Sequence, residues 1–307
     1  MGENGRFEKA DSALSTRYTV MMLKRRIPYF FKGDKGKRRA KIAVGCAVVL
    51  AAIALAVLVF NPEPMLLESA EIRSIENRGV LRVGVRTDMP GLGFEGEGLE
   101  VELASRLVTY ILPGRDLASA LELVPVTAKT VTAKLDDGSI DVAICMMRKD
   151  GYSSCVYSGT YYVDPVWLAV KAGEEGLSID GLSIGYVTGT PSETALKSYA
   201  GANPDKGIST SVFASYPDML AALDKGVVDG ISLTGTHYIK YREEHGLNIH
   251  GTMLGTVNYA IASSTDSPAL VQIADMMIYD MMESGELDSM IERHGLFTIA
   301  DNEDSEG

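Results

Sequence analysis

Thr190-Pro191-Ser192-Glu193 is the stretch of this chain whose residue types and spacing point most directly to binding chemistry. Threonine at an N-cap, proline at the first helical position and glutamate at the third form a capping box, which starts a helix and satisfies two orphan amides. The open end of such a helix carries partial positive charge. The Ser192 hydroxyl and amide can therefore donate to an anion. Pro191 withdraws one amide from that set.

Other candidate motifs fall away on their chemistry. Gly91-Leu92-Gly93-Phe94-Glu95-Gly96 matches the G-x-G-x-x-G of dinucleotide folds. Glu95, Glu97 and Glu100 stand where a pyrophosphate would dock, so the motif reads as a flexible glycine turn. His237, His245, His250 and His294 have no metal-ligand spacing, and no metal is expected. Met276, Met277, Met281 and Met282 recur at helical spacing and read as core filling. No G-x-S-x-G elbow, S-x-x-K site or acid–base pair stands out, so no catalytic residue and no cofactor is expected. Cys145 and Cys155 read either as a disulfide or as two buried thiols. Cys46 sits inside an apolar run and reads as inert filler.

The elements that must carry these residues alternate. Gly79–Val85, Leu121–Val126 and Ile140–Met146 read as buried strands. Gly98–Leu112 carries Leu99, Leu103, Leu107 and Ile111 at spacing four, the stripe of an amphipathic helix. Thr130–Leu135 reads as a short helix and Thr160–Gly173 as an extended exit segment. The pattern then recurs, with strands at Leu182–Val187, Val212–Tyr216, Val228–Leu233 and Asn258–Ser264. Helices are expected at Thr190, at Met219–Gly226, from Pro268 and ending at Gly295. Strands alternating with helices imply parallel sheet covered on both faces. The devices D-D-G-S-I-D (Asp136–Asp141) and D-K-G-V-V-D (Asp224–Asp229) precede a strand in each half, favouring two similar lobes over one continuous sheet.

Charge divides the chain. Residues 1–41 hold 12 Lys/Arg against 4 Asp/Glu, and the remaining 266 hold 17 against 37. Between them Ile42–Phe60 runs 19 residues without a charge, which as a helix covers roughly the 30 Å hydrocarbon core. The basic flank stays in the cytoplasm, so the body lies outside. The expectation is a single-pass signal-anchor in the cell membrane, with its N-terminus cytoplasmic and its C-terminal domain extracytoplasmic. A net charge of -12 argues against nucleic acid as a partner.

The chain resembles solute-binding protein family 3, the polar amino-acid-binding subunits of ABC importers. The motifs run in family order: Gly79–Val85 with Asp88 and Pro90, Gly98–Ala104, Leu135–Ala143, Tyr161-Tyr162, and Gly189, Thr190, Ser192, Glu193. Leu223–Asp229, Tyr259–Ala262 and Gly285–Gly295 follow. The resemblance covers about residues 70–297. It implies an α/β, two-lobed type II periplasmic-binding-protein (Venus flytrap) fold, here preceded by one N-terminal transmembrane helix, with two extended crossings near Val166–Val170 and Val257–Ala262. The expected organisation is a basic cytoplasmic segment (1–41), the anchor helix (42–60) and a linker (61–74). Lobe 1 (75–168), lobe 2 (169–257), a return to lobe 1 with the C-terminal helices (258–297) and an acidic disordered tail (298–307) follow.

The resemblance also implies pocket positions, and here the chain departs from the family. The arginine that pairs with an α-carboxylate aligns with Gly151, three residues past Arg148. The aspartate that receives an α-ammonium is Thr234. Met89, Leu92 and Ala128 replace common aromatic platforms. Glycine cannot supply a bidentate guanidinium. The ligand-binding set implied is Asp88, Arg148, Tyr161, Thr190, Ser192 and Thr234, with Tyr238 and Tyr241 either lining the second lobe or packing. The expected function is capture of a small polar solute and its presentation to an ABC permease. A rival reading keeps the flytrap as a sensing ectodomain that signals through a partner membrane protein.

Overall fold

Two long strands organise the protein. The computed structural model describes residues 66–149 and 151–298, so the apolar run 42–60, the basic segment before it and the tail from residue 299 lie outside the described residues. Among the described residues no helix is long and apolar enough to cross a membrane. The chain divides into two compact units, one ending at Ser74 and the other starting at Ile75.

In chain order the elements are α1 (Ala70–Arg78), β1 (Leu81–Val85), β2 (Asp88–Met89), β3 (Gly93–Phe94), α2 (Leu99–Ile111), α3 (Leu117–Ala120) and β4 (Leu121–Pro125). Next come α4 (Val131–Asp136), β5 (Val142–Ala143), β6 (Cys155–Lys171), β7 (Ser183–Val187), α5 (Pro191–Ala202), β8 (Ser209–Phe213) and α6 (Tyr216–Asp224). The last are β9 (Gly230–Thr234), α7 (Gly235–His245), β10 (Leu247–Ser264), α8 (Pro268–Ser284) and α9 (Glu286–Arg293).

β6 and β10 pair antiparallel from Lys171↔Leu247 to Cys155↔Ser264. Each then adopts one parallel set. β10 bonds β5 at Ala262↔Ala143, with β1 and β4 beyond it. β6 bonds β9 through Val166–Ala169, with β7 and β8 beyond it. The ladder β4-β1-β5-β10-β6-β9-β7-β8 is therefore hydrogen-bonded without a break. Two similar halves are present as the repeated pattern requires, but they share one sheet because the crossing strands bond each other.

The repeated D-x-G-x-x-D device has the same job in both halves. Asp141 N–H donates to Arg82 O (2.9 Å), and Asp141 Oδ2 accepts from Arg82 N–H (2.8 Å). Asp229 N–H donates to Ser183 O (2.8 Å), and its Oδ2 accepts from Ser183 N–H (2.8 Å). Each aspartate thus clips the entry of the neighbouring parallel strand. This satisfies a backbone amide that would otherwise be left without a partner.

Packing follows the apolar spacing. Leu99, Leu103, Leu107 and Ile111 of α2 are all fully buried, as a stripe facing the sheet requires. β9 is buried at all five positions, the signature of a central strand covered on both faces. The methionine run fills core at Met276, Met277 and Met281, whereas Met282 is exposed.

Several expectations are corrected. Cys145 and Cys155 are free, buried thiols in one apolar cluster rather than a disulfide. β10 lies between β5, which leads to Cys145, and β6, which begins at Cys155. Two inter-strand spacings make roughly 10 Å, beyond the ~7 Å that a bridge spans between Cα atoms. The glycine turn is not loose. Met89 pairs with Gly93, and the carbonyls of Gly91 and Leu92 accept from the N–H groups of Leu99 and Glu100. The first amides of α2 are thereby consumed, leaving none for a phosphate. The strand expected at Val212–Tyr216 runs instead over Ser209–Phe213, because Ser215 Oγ accepts from Asp218 N–H (3.3 Å) and caps a helix that begins at Tyr216.

Candidate functional site

The carboxyl ends of the parallel strands converge on the β6–β10 pair, and in open α/β sheets ligands bind at such ends. From β1 come Arg86 and Asp88; from β5, Arg148 and Lys149. From β7 comes the start of α5, and from β9 the start of α7. Two regions result, one filled and one open.

The filled region is built from residues far apart in sequence. Arg86 holds Asp88 with two hydrogen bonds (Nε–Oδ1 2.7 Å, Nη2–Oδ2 2.8 Å), the bidentate geometry a guanidinium favours. Lys240 of α7 reaches Asp88 Oδ2 at 3.2 Å and sits over the Tyr241 ring. The hydrogen bond from Arg86, reinforced by Lys240, keeps the Asp88 carboxyl well below the usual range despite partial burial. His237 stacks on Tyr216 with centroids 4.4 Å apart, and Tyr241 flanks both rings. Burial, then the Arg86 and Lys240 cations, lower the His237 pKa, so the imidazole is neutral. Its Nδ1 lies 2.8 Å from Thr234 Oγ1, which also accepts from His237 N–H as the N-cap of α7.

Two buried carboxyls stand behind this cluster. Asp164, in the middle of β6, accepts from the Thr236 hydroxyl (2.6 Å) and amide (3.2 Å) and from Tyr259 (3.4 Å). Burial outweighs those bonds and pushes its pKa up to about 6. Glu100 Oε1 accepts from Tyr161 OH (2.6 Å) and Met146 N–H (2.7 Å), while its buried Oε2 has no partner. Burial again dominates and raises Glu100 to about 7.

The open region is a cavity of about 440 Å³. Arg148 and Lys149 enter from the end of β5, Pro191, Thr194 and Ser198 from α5, and Thr256 and Asn258 from β10. Arg148 is fixed by backbone pairing with Tyr259. Among the described residues neither Arg148 nor Lys149 forms an ion pair. Beside the cavity, α5 starts as predicted at Thr190-Pro191, but the capping differs. The Thr190 hydroxyl donates back to Val187 O (2.6 Å), and Glu193 accepts from Gly189 N–H (2.6 Å) instead of the threonine's own amide. Ser192 is buried; its carbonyl accepts from Ser232, and its hydroxyl has no partner.

The six predicted residues are therefore dispersed. Arg148, Thr190 and Ser192 lie at or beside the open cavity, while Asp88 and Thr234 belong to the filled region. Tyr161 points to Glu100 and also lines a separate cavity of about 460 Å³ with Met282, Leu287, Ile291 and Phe297. Tyr238 packs against Phe297, and Tyr241 joins the ring stack. Sequence reading missed Arg86, Tyr216, His237, Lys240 and Asp164. One signal was present: Arg86 is the first charged residue past the buried run of β1.

A single β-sheet in which two parallel sets hang from a pair of crossing strands defines the class of two-lobed binding proteins. Residues 81–297 match the family model of bacterial extracellular solute-binding proteins, family 3, and the chain belongs to that family. Solved structures agree in fold. The P235GK mutant of ArgBP from T. maritima superposes with a TM-score of 0.54 at 22% identity, over 73% of this chain and 98% of that one. An amino acid ABC transporter substrate-binding protein from Streptococcus pneumoniae, bound to L-arginine, gives 0.55 at 18% identity over 74% and 98%. The ancestral amino acid-binding protein AncCDT-1, a precursor of cyclohexadienyl dehydratase, gives 0.54 at 18% over 73% and 99%.

Proposed function

We propose that this chain is a membrane-anchored extracytoplasmic receptor that captures a small polar solute between two lobes and presents it to an ABC importer. The observation that carries the reading is the open cavity, walled by the end of β5, the start of α5 and the β10 crossing. A solute there touches both halves and stabilises their closed arrangement, which is how a ligand shifts a hinged equilibrium. The lobes are residues 75–168 with 258–297, and residues 169–257. The L-arginine bound in solved amino acid ABC transporter substrate-binding proteins of the same fold supports a polar solute for this chain. Capture of this kind needs no catalytic residue, cofactor or metal.

The anchor rests on the apolar run 42–60 and its basic flank. Protease added outside intact spheroplasts should digest the acidic body and leave a membrane-bound N-terminal fragment; full protection of the body would reverse the assigned topology. For solute capture, a matching solute should raise the melting temperature by mass action, and a chain indifferent to every polar solute class tested would lose this assignment.

A further inference from the structure

The open cavity also carries information about ligand charge. Among the described residues its lining holds two cations, Arg148 and Lys149, nine neutral residues and no carboxylate. Both cations are exposed and lack ion-pair partners among the described residues. Thr194, Ser198, Thr256 and Asn258 add hydroxyl and amide donors around them. The first turn of α5, a helix of 12 residues, reaches the same cavity at Pro191, so its positive end lies on the cavity side. The Ser192 hydroxyl next to it is buried and unpartnered.

The groups that would receive a ligand cation are already engaged. Asp88 is held by Arg86 and Lys240, and Asp164 is buried against Thr236 and Tyr259. Thr234, which holds the place of an ammonium-binding carboxylate, caps α7. A solute carrying an ammonium would therefore lose its hydration without gaining a counter-charge.

From this distribution we infer that the cavity takes a small dianionic solute without an ammonium group, such as a dicarboxylate, with Arg148 and Lys149 pairing its two anionic groups. The inference rests on the solute-capture reading and adds the charge class. Of the two cations, Arg148 provides the planar fork that fits a carboxylate and Lys149 a point charge.

The test is calorimetric titration and thermal shift of the full-length chain in detergent at low salt, with succinate, L-glutamate, L-glutamine and L-arginine as probes. Succinate should bind and raise the melting temperature. Arg148→Gln should weaken that binding at least tenfold and Lys149→Gln severalfold, and added salt should weaken the wild-type protein. Both side chains are exposed, so circular dichroism should show both variants folded. Binding of arginine or glutamine without succinate would overturn the dianion assignment and leave solute capture standing. Succinate binding indifferent to both substitutions would remove the site from this cavity. Silence from all four probes would overturn the inference and count against solute capture as well.

Discussion

Lys240 Nζ lies 3.2 Å from Asp88 Oδ2, joining residues 152 positions apart and tying α7 to the turn after β1. Asp88 is also gripped by Arg86, so one carboxylate serves two cations from opposite halves of the sheet. The contact joins the halves through the chain's own groups.

Replacing Lys240 by Ala should loosen that tie. The radius of gyration of the solute-free protein in small-angle scattering should rise, while the melting temperature falls only slightly. The pair is half-exposed, which limits its contribution to about 1 kcal/mol or less. An unchanged scattering curve would mean that the pair does not control closure.

Glu100 sets a pH dependence with a definite sign. Its folded pKa of about 7 exceeds its ordinary value of 4.5, so the folded state favours the protonated carboxyl. The stabilisation is complete below about 4.5 and is lost as pH rises through about 7, an effect on the order of 3 kcal/mol. Asp164, raised to about 6, adds to the same slope. Denaturation in urea should therefore show lower stability at pH 8 than at pH 5, with Glu100→Gln flattening the difference. A Glu100→Gln protein with the wild-type slope would place the titration elsewhere.

Cys145 and Cys155 should be silent toward thiol reagents in the native protein and react once it is unfolded. Burial raises the pKa of both thiols, and only the thiolate is reactive. Dithiothreitol should leave the melting temperature unchanged. A drop on reduction would indicate a bridge.

Gly98→Ala should be strongly destabilising. A Cβ there would lie 2.2 Å from Leu92 O, and the backbone at φ +123° disfavours any side chain. Strain alone costs about 1–3 kcal/mol, and the clash with backbone adds to it. Chemical denaturation that shows wild-type stability would mean the turn rearranges freely.

How much of this was legible follows from which forces were local. The α2 stripe, the buried run of β1 and the helix starting at Pro191 are written in spacing and capping residues, and all three formed. α7 was not anticipated: its sequence Gly235–His245 is polar and lacks a stripe. It is set by the Thr234 cap and by Tyr238 packing against Phe297. The filled half of the site stayed hidden because Asp88–Lys240 and Tyr216–His237 are tertiary meetings that no local pattern encodes. Arg148 was visible only through the family resemblance, as the arginine three residues before the aligned position Gly151.

The long pairing between β6 and β10 limits the motions open to the halves. Two strands zipped edge to edge resist sliding, since slippage by one residue would break every rung and invert which side chains face inward. They yield readily to twist. Opening and shutting should therefore resemble wringing a ribbon, with the irregular rungs between Ile249 and Ala262 absorbing the rotation.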